Sequence, residues 1–312
     1  MKTIDSCTPE ELFAELNVAR AAGPPTDTER KRAGTWAKAI DTLFAAGRFE
    51  ETEHASRLLL QVDPDLAFAR SMCGIFDHLP PADGSQTPFA DDQTRDVQVV
   101  ARRDTDVVAL LFCGRSHRLG LPLDAMHRWL GRLPASLIYL RDFRKKYFLG
   151  GINSLGPTLD ATLTELRRTI DQLGARRIVC YGNSSGVFPS LYYGHALGAD
   201  TIACLAGKTN RTPAFNAFTR DEARAVELAK RFPEATLDTK LLFETMPKPP
   251  RILMVYGEHN WSDRRQAEHL GTLPSVTLWP LPDCAEHGAI KEIINRGEYP
   301  RVLEWLLHPS ED

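Results

Sequence analysis

From about residue 95 onward, short β-branched runs alternate with longer amphipathic stretches, and this alternation is what most restricts the possible folds. Three intervening segments, 124–133, 158–173 and 185–197, carry apolar residues at helical spacing. Strands alternating with helices predict a mostly parallel sheet covered by helices on both faces, with functional residues at the carboxyl ends of the strands. The β-like runs are Val97–Ala101, Val107–Cys113, Ser136–Leu140, Ile178–Tyr181, Thr201–Ala206, Ile252–Tyr256 and Val276–Trp279.

The fourth β-like run leads directly into Gly182-Asn-Ser-Ser-Gly186, and a helical segment follows at once. A G-x-S-x-G pattern between a strand and a helix predicts a tight, strained turn that exposes Ser184 above the sheet. Glycine is needed on both sides of the serine because the neighbouring strand and helix approach too closely for side chains. The alternative interpretation is a serine in an ordinary loop of small residues.

With this motif in this setting, residues 95–308 resemble the α/β-hydrolase family, in which the serine is followed along the chain by the acid and then by the histidine. Only His287 and His308 follow the last β-like run, and His308 ends an apolar helix. His287 lies in the loop before a helix predicted over 289–295. The resemblance therefore implies that His287 is the general base; the alternative is a histidine in a surface loop.

The resemblance implies an acid after the sixth β-like run, in the sequence GEHNWSD that ends at Asp263. The family commonly has G-x-x-D, but this chain has Asn260 at that position. Asp263 is the preferred acid, with Glu258 as the alternative and Asn260 as a weaker orienting group. Asp263 would also be a suitable N-cap for a helix over 264–270, which would give it a structural role.

Two backbone N–H groups are also implied as donors to the oxyanion of an acyl-transfer reaction. One belongs to Ser185, the residue after the nucleophile. The other is expected from the loop after the second β-like run, where Gly114 permits a close backbone approach and Arg115 supplies the N–H.

Two basic segments, 115–118 and 141–147, leave the ends of predicted strands and in such a fold would face the turn at Ser184. Arg118, Arg141 and Tyr147 are therefore the candidate substrate-binding residues. They favour a small acyl substrate that carries a carboxylate or a phosphate. The alternative is a charged, solvated rim.

The first 75 residues have a different pattern, which is helical. Thr8-Pro9-Glu10-Glu11 predicts a capping box. Two further helices are predicted, over 27–46, ending before Gly47, and over 49–61. This region resembles a single tetratricopeptide repeat through the spacing of Trp36, Gly47, Phe49 and Pro64. It is predicted either to pack on the main domain or to bind a protein partner.

The predicted organisation is a helical region at 1–76, a Pro-, Gly- and Asp-rich linker at 77–94, and a hydrolase-like catalytic domain at 95–312. An insertion at 208–250 contains an amphipathic helix at 221–231. Insertions at this place commonly form the lid in the family that the chain resembles.

The composition restricts the kinds of binding partner and the cellular compartment that we expect for this protein. The chain has 312 residues, 43% of them hydrophobic, and a net charge of −3, which argues against a nucleic-acid surface. No apolar run approaches the ~20 residues that span a bilayer, and the N-terminus lacks the apolar core of a secretory signal. The six cysteines contain no C-x-x-C pair, which argues against a disulfide framework or a metal site. We therefore expect a cytoplasmic protein that uses no metal or cofactor.

The predicted function is that of a serine hydrolase, which cleaves an ester, thioester or amide through an acyl-enzyme on Ser184. An acyltransferase would use the same residues, so this alternative stays open. A different class of function also stays open: a non-catalytic, hydrolase-like scaffold that binds a partner through its helical N-terminus. Nucleotide hydrolysis has no support, because no phosphate-binding loop motif is present.

Overall fold

The structure, a computed structural model, describes residues 8–22 and 26–308. The chain divides into two compact units. The first comprises the chain up to Pro81 together with Ile294–Gly297. The second comprises Ala82–Ile293 and the chain from Glu298 onward.

The N-terminal unit is built from four helices: α1 (Pro9–Ala21), α2 (Asp27–Ala45), α3 (Phe49–Val62) and α4 (Ala67–His78). Its core is apolar because each helix buries one face against its neighbours. Side chains that are almost fully buried here include Leu12, Leu16, Trp36, Ile40 and Leu59.

The capping box of the first helix is confirmed. The Glu11 N–H donates to Thr8 Oγ1 at 3.2 Å, and the Thr8 N–H donates to Glu11 Oε2 at 3.0 Å. Gly47 has a φ of 74°, as expected for a glycine just after a helix. The sequence pattern did not separate α4 as a helix of its own, and the resemblance to a tetratricopeptide repeat remains a prediction.

The second unit contains a seven-stranded sheet with strand order β1-β3-β2-β4-β5-β6-β7. Strand β1 is antiparallel to β3, and all other neighbours are parallel, so the predicted mostly parallel sheet is confirmed. The central strands β2 and β5 are buried along their whole length. The strands are β1 (Val97–Val100), β2 (Val107–Phe112), β3 (Ser136–Leu140), β4 (Arg177–Asn183), β5 (Thr201–Leu205), β6 (Arg251–Gly257) and β7 (Val276–Leu281).

Helices connect these strands, as a parallel sheet requires. The insertion between β5 and β6 differs most from the sequence pattern, because it forms three separate helices where the pattern indicated one. The helices of this unit are α5 (Leu123–Leu130), α6 (Leu159–Gln172), α7 (Val187–Leu197), α8 (Pro213–Asn216), α9 (Glu222–Arg231), α10 (Lys240–Phe243), α11 (Trp261–Leu270), α12 (Ala289–Asn295) and α13 (Tyr299–Leu307).

Helix α11 begins earlier than the sequence pattern indicates. Its N-cap is Asn260, whose side-chain oxygen accepts the N–H of Asp263 at 3.0 Å. The expectation that Asp263 could serve as the N-cap is therefore wrong, because Asp263 lies within the first turn. The carboxylate of Asp263 therefore does not cap the helix and can bond to another group.

Part of the segment predicted as a linker packs on the second unit. The Thr87 N–H donates to the carbonyl of Gly131 at 2.9 Å, and the Phe89 ring stacks on His127 with centroids 4.6 Å apart. Among the described residues, no helix is long and apolar enough to cross a membrane.

The turn between β4 and α7 is packed so closely that its glycines have no room for a side chain. A Cβ atom on Gly182 would lie 2.4 Å from the carbonyl oxygen of Gly186. A Cβ atom on Gly186 would lie 2.1 Å from the carbonyl oxygen of Phe112 in β2. Contacts this short with backbone atoms cannot be relieved by a side-chain rotation, so the turn and β2 can approach only because both positions are glycine.

We predict that Gly186→Ala lowers the free energy of unfolding by about 1–3 kcal/mol or more, because the methyl group forces the backbone apart. Urea unfolding measures the change. The matched control in the same unit is Gly150→Ala, since the atoms nearest to its added Cβ lie at 3.7 to 3.9 Å, an ordinary contact distance. Equal unfolding midpoints for the two variants would contradict the prediction.

Candidate active site

The loops after β2 and β5, the two strands beside β4, lie against Ser184 at the carboxyl ends of the strands. A Cβ atom on Gly207, after β5, would lie 2.2 Å from the carbonyl oxygen of Ser184. One on Gly114, after β2, would lie 3.7 Å from Cβ of Ser184. These carboxyl ends are where parallel sheets bind ligands.

Ser184 itself has a strained backbone. Its φ is 55°, in the left-handed region that serine rarely adopts. A single 3₁₀ turn, Ser184–Gly186, then joins the strand to α7. Such conformations cost on the order of 1–3 kcal/mol and persist only when the surrounding structure imposes them. Here the glycine contacts with β2 and the loop after β5 impose it.

Three predicted residues form a hydrogen-bonded chain at this edge. Ser184 Oγ lies 2.8 Å from His287 Nε2, and His287 Nδ1 lies 2.7 Å from Asp263 Oδ2. A carboxylate can only accept, so Nδ1 carries the proton and Nε2 is free to accept the hydroxyl proton of Ser184. This is the arrangement that a serine nucleophile needs from its base.

Asp263 and His287 differ sharply in exposure. The Asp263 side chain is 1% exposed, whereas the His287 side chain is 45% exposed. The other carboxylate oxygen, Oδ1, is buried and has no hydrogen-bond partner among the described residues. The imidazole is therefore the group that this buried carboxylate orients.

The two alternatives to Asp263 lie elsewhere. In the described part of the chain no hydrogen bond joins Glu258 to the imidazole, and the Glu258 N–H donates to the carbonyl of Leu281. The Asn260 side chain caps α11 and also donates to the carbonyl of Ala285 at 3.1 Å. Asn260 thus links the helix of Asp263 to the loop of His287.

The two residues expected to supply oxyanion donors line the same cavity as the serine. Ser185, Arg115, Ser184 and His287 all line one cavity of about 350 Å³. The Ser185 N–H lies in the first turn of a helix, where backbone donors lack intrahelical partners. Gly114 donates to the carbonyl of Arg118 at 2.8 Å and so forms the turn that presents Arg115.

A second cavity of about 210 Å³ adjoins the first and shares four lining residues with it: Arg115, Tyr147, Ser185 and Arg224. Of the candidate substrate-binding residues, only Tyr147 lines these two cavities. Arg118 contributes its carbonyl to the turn at Gly114, and its side chain lines neither cavity.

The prediction that Arg141 binds substrate is wrong. Its side chain is 1% exposed, and its guanidinium forms an ion pair with Asp91. It also donates to the carbonyl oxygens of Asp92, Arg95 and His117. The position at the end of β3 is as expected, but tertiary contacts turn the side chain into the protein, where it anchors the segment before β1.

The basic residues of the insertion were not among the candidates that the sequence indicated. Four of them line the cavity at Ser184: Lys208, Arg211, Arg220 and Arg224. The available signal was their density, since all four fall within 17 residues of a segment expected to cover the site.

Cys113 is the cysteine that lines the smaller cavity. Burial raises the pKa of its thiol to about 12, so the thiolate is scarce at neutral pH and Cys113 is not a competing nucleophile. Among residues 8–22 and 26–308, no three His, Cys, Asp or Glu side chains come together in a way that could hold a metal ion.

The fold is that of the α/β hydrolases, as solved structures of low sequence identity show. Esterase B from Lactobacillus rhamnosis, in a form inhibited by a tributyrin phosphonate, is 13% identical and has a TM-score of 0.51; the match covers 81% of this chain and 94% of that one. No protein-family model and no curated protein matches the chain.

Two further structures are similar over a smaller part of the chain. An α/β serine hydrolase without a lid from Xanthomonas campestris is 17% identical, with a TM-score of 0.40 over 68% of this chain and 89% of that one. The capsule O-acetyltransferase of Neisseria meningitidis serogroup A is 12% identical, with a TM-score of 0.46 over 67% and 91%.

We predict that Arg141→Met lowers the free energy of unfolding by about 3–5 kcal/mol, because it leaves the carboxylate of Asp91 buried without its cation. Urea unfolding measures the loss. Arg118→Met is the control from the neighbouring loop and should stay within about 0.5 kcal/mol of the wild type. Wild-type stability in Arg141→Met would show that Arg141 has no structural role.

Proposed function

We propose that the protein is a serine hydrolase that forms an acyl-enzyme on Ser184. The observation that carries this proposal is the hydrogen-bonded chain from Ser184 Oγ through His287 to the buried carboxylate of Asp263. The left-handed backbone at Ser184 supports it, because strain of this kind concentrates at functional residues.

In the proposed mechanism, His287 Nε2 removes the hydroxyl proton as Ser184 Oγ attacks the acyl carbon. The N–H groups of Ser185 and Arg115 bind the oxyanion that develops on the carbonyl oxygen. Asp263 keeps the proton on Nδ1 and stabilises the imidazolium. The imidazolium then protonates the leaving group as the tetrahedral intermediate collapses to the acyl-enzyme.

The second half of the reaction reverses these roles. A water molecule enters, His287 takes one of its protons, and the hydroxide attacks the acyl-enzyme. Collapse of this second intermediate releases the carboxylic acid and returns the proton to Ser184 Oγ. An ester, a thioester or an amide can each serve as the acyl donor.

Acyl transfer is the second candidate function. The two cavities share Ser185 and Arg115, so a donor and a non-water acceptor could lie on either side of the oxyanion donors. The chemistry on Ser184 and His287 is the same, and only the nucleophile of the second half-reaction changes. For the helical N-terminal unit we keep the proposal of a protein-binding role.

Fluorophosphonate labelling tests the nucleophile. We expect the wild type to be labelled at Ser184, Ser184→Ala to remain unlabelled, and His287→Ala to label far more slowly because the hydroxyl loses its base. Ser85→Ala, in an exposed turn, is the matched serine control and should label like the wild type. Folded wild-type protein that does not react would support the non-catalytic scaffold instead.

A second experiment identifies the acid. Asp263→Asn should lower kcat for p-nitrophenyl acetate by up to about 10⁴-fold, because the amide favours the wrong imidazole tautomer. Glu258→Gln should stay close to the wild type, since it makes no hydrogen bond to the imidazole. The opposite ranking of the two variants would assign the role to Glu258.

A further inference from the structure

The cavity at Ser184 has a large excess of positive charge. Apart from Asp263, which is bonded to His287, the only carboxylate among its lining residues is that of Asp221. Asp221 lies 3.1 Å from Lys208 and 3.8 Å from Arg224, so one carboxylate already serves two cations. The basic residues that line this cavity are Arg115, Lys208, Arg211, Arg220 and Arg224.

Arg211 is the most unusual of these cations because it is buried, with only 7% of its surface exposed. Its guanidinium stacks on the Tyr147 ring at 3.5 Å and lies 5.4 Å from the Phe188 ring. Its Nε is buried and has no hydrogen-bond partner among the described residues. Among the described residues no ion pair neutralises this guanidinium, although it belongs to the lining of the cavity. A stacked cation without an ion-pair partner in the cavity wall favours a ligand that carries negative charge.

The charge of Arg211 persists under ordinary conditions. Burial lowers the pKa of its guanidinium from 12.5 to about 10, so the group is still protonated at neutral pH. A desolvated cation is costly unless an anion pairs with it. An anion bound beside Arg211 would therefore offset the cost of desolvating its charge.

The adjoining cavity extends the positive surface. It has two lining carboxylates, Asp142 and Glu227, and Glu227 partly neutralises Lys146, which lies 3.7 Å away. Its basic lining residues outnumber them and are Arg115, Arg144, Lys145, Lys146, Arg224 and Arg231. A single carboxylate would leave most of this charge unbalanced, whereas a phosphate brings up to two negative charges and three acceptor oxygens.

We propose that the acyl substrate carries a phosphate group, which Arg211, Arg224 and Arg115 bind beside Ser184. This inference rests on the proposed function, because it describes the substrate of that reaction. Arg211 and Arg224 belong to the insertion, so the same phosphate contacts would hold the insertion over the scissile bond. Arginine suits this task because its planar fork donates two parallel hydrogen bonds to a phosphate.

Two pairs of substrates test the proposal. The first pair is glycerol 1-acetate and 1-acetylglycerol 3-phosphate; the second is S-acetylpantetheine and acetyl-coenzyme A, which adds phosphates to the same thioester. We expect kcat/KM to be at least 10-fold higher for the phosphorylated member of one pair. In Arg211→Gln and Arg224→Gln that ratio should fall toward about 1, since one charged hydrogen bond accounts for an effect of about 10- to 100-fold. Equal kcat/KM within both pairs would overturn the proposal.

Binding without turnover provides an independent measurement. In Ser184→Ala, calorimetry should detect inorganic pyrophosphate, and adding Arg224→Gln or Arg211→Gln should raise its Kd by about 10- to 100-fold. The control is Arg176→Gln, an exposed arginine just before β4, at the opposite end of the strands. Its pyrophosphate Kd should equal that of the parent. No binding, or equal binding by all variants, would overturn the proposal.

The two proposals can fail separately. Pyrophosphate binding that depends on Arg224, in a protein that fluorophosphonate does not label, would support the anion site and refute the hydrolase. Normal labelling with equal kcat/KM within both substrate pairs would refute the phosphate site and leave the hydrolase in place. A faster reaction with the acetyl ester of glycerate than with 1-acetylglycerol 3-phosphate would replace phosphate by carboxylate.

Discussion

The candidate site depends on one close contact, the approach of the turn after β4 to the end of β2. Gly186 lies so near to the carbonyl of Phe112 that a methyl group would come within 2.1 Å of it. Ser184 beside it has a left-handed backbone, and Ser184, Ser185 and Arg115 line one cavity. A wider turn would move Ser184 and Ser185 away from the end of β2, so the packing of two backbones determines the geometry of the candidate site.

Asp263 and His287 lie on two other segments, which are linked by the side chain of Asn260. Asn260 starts α11, which places Asp263 in the first turn, and its side-chain amide also bonds to the carbonyl of Ala285, two residues before His287. These contacts hold the buried carboxylate of Asp263 next to the half-exposed imidazole of His287. Asn260, at the position where the resemblance implies an aspartate, thus links the first turn of α11, which carries Asp263, to the loop of His287.

Charge around the site comes mainly from the insertion. Lys208 and Arg224 share one carboxylate, that of Asp221, while Arg115, Arg211 and Arg220 also line the cavity, and this imbalance makes the cavity suited to an anion. The basic residues expected from the sequence contribute less to this positive charge, because Arg141 forms a buried ion pair with Asp91. An anionic substrate thus stays a prediction, and the residues that would bind it differ from those expected from the sequence.

The sequence by itself determined the features that depend on neighbouring residues. Alternating runs predicted the sheet and GNSSG predicted the turn, because each is encoded within a few positions; His287 was implied by the chain order of the family that the sequence resembles. Only the tertiary structure placed Asp263, rather than Glu258, against the imidazole, buried Arg141, and placed Arg211 and Arg224 beside Ser184. The physical reason is that burial and pairing depend on segments far apart in the chain, 103 residues for Ser184 and His287 and 50 for Arg141 and Asp91, which local patterns do not encode.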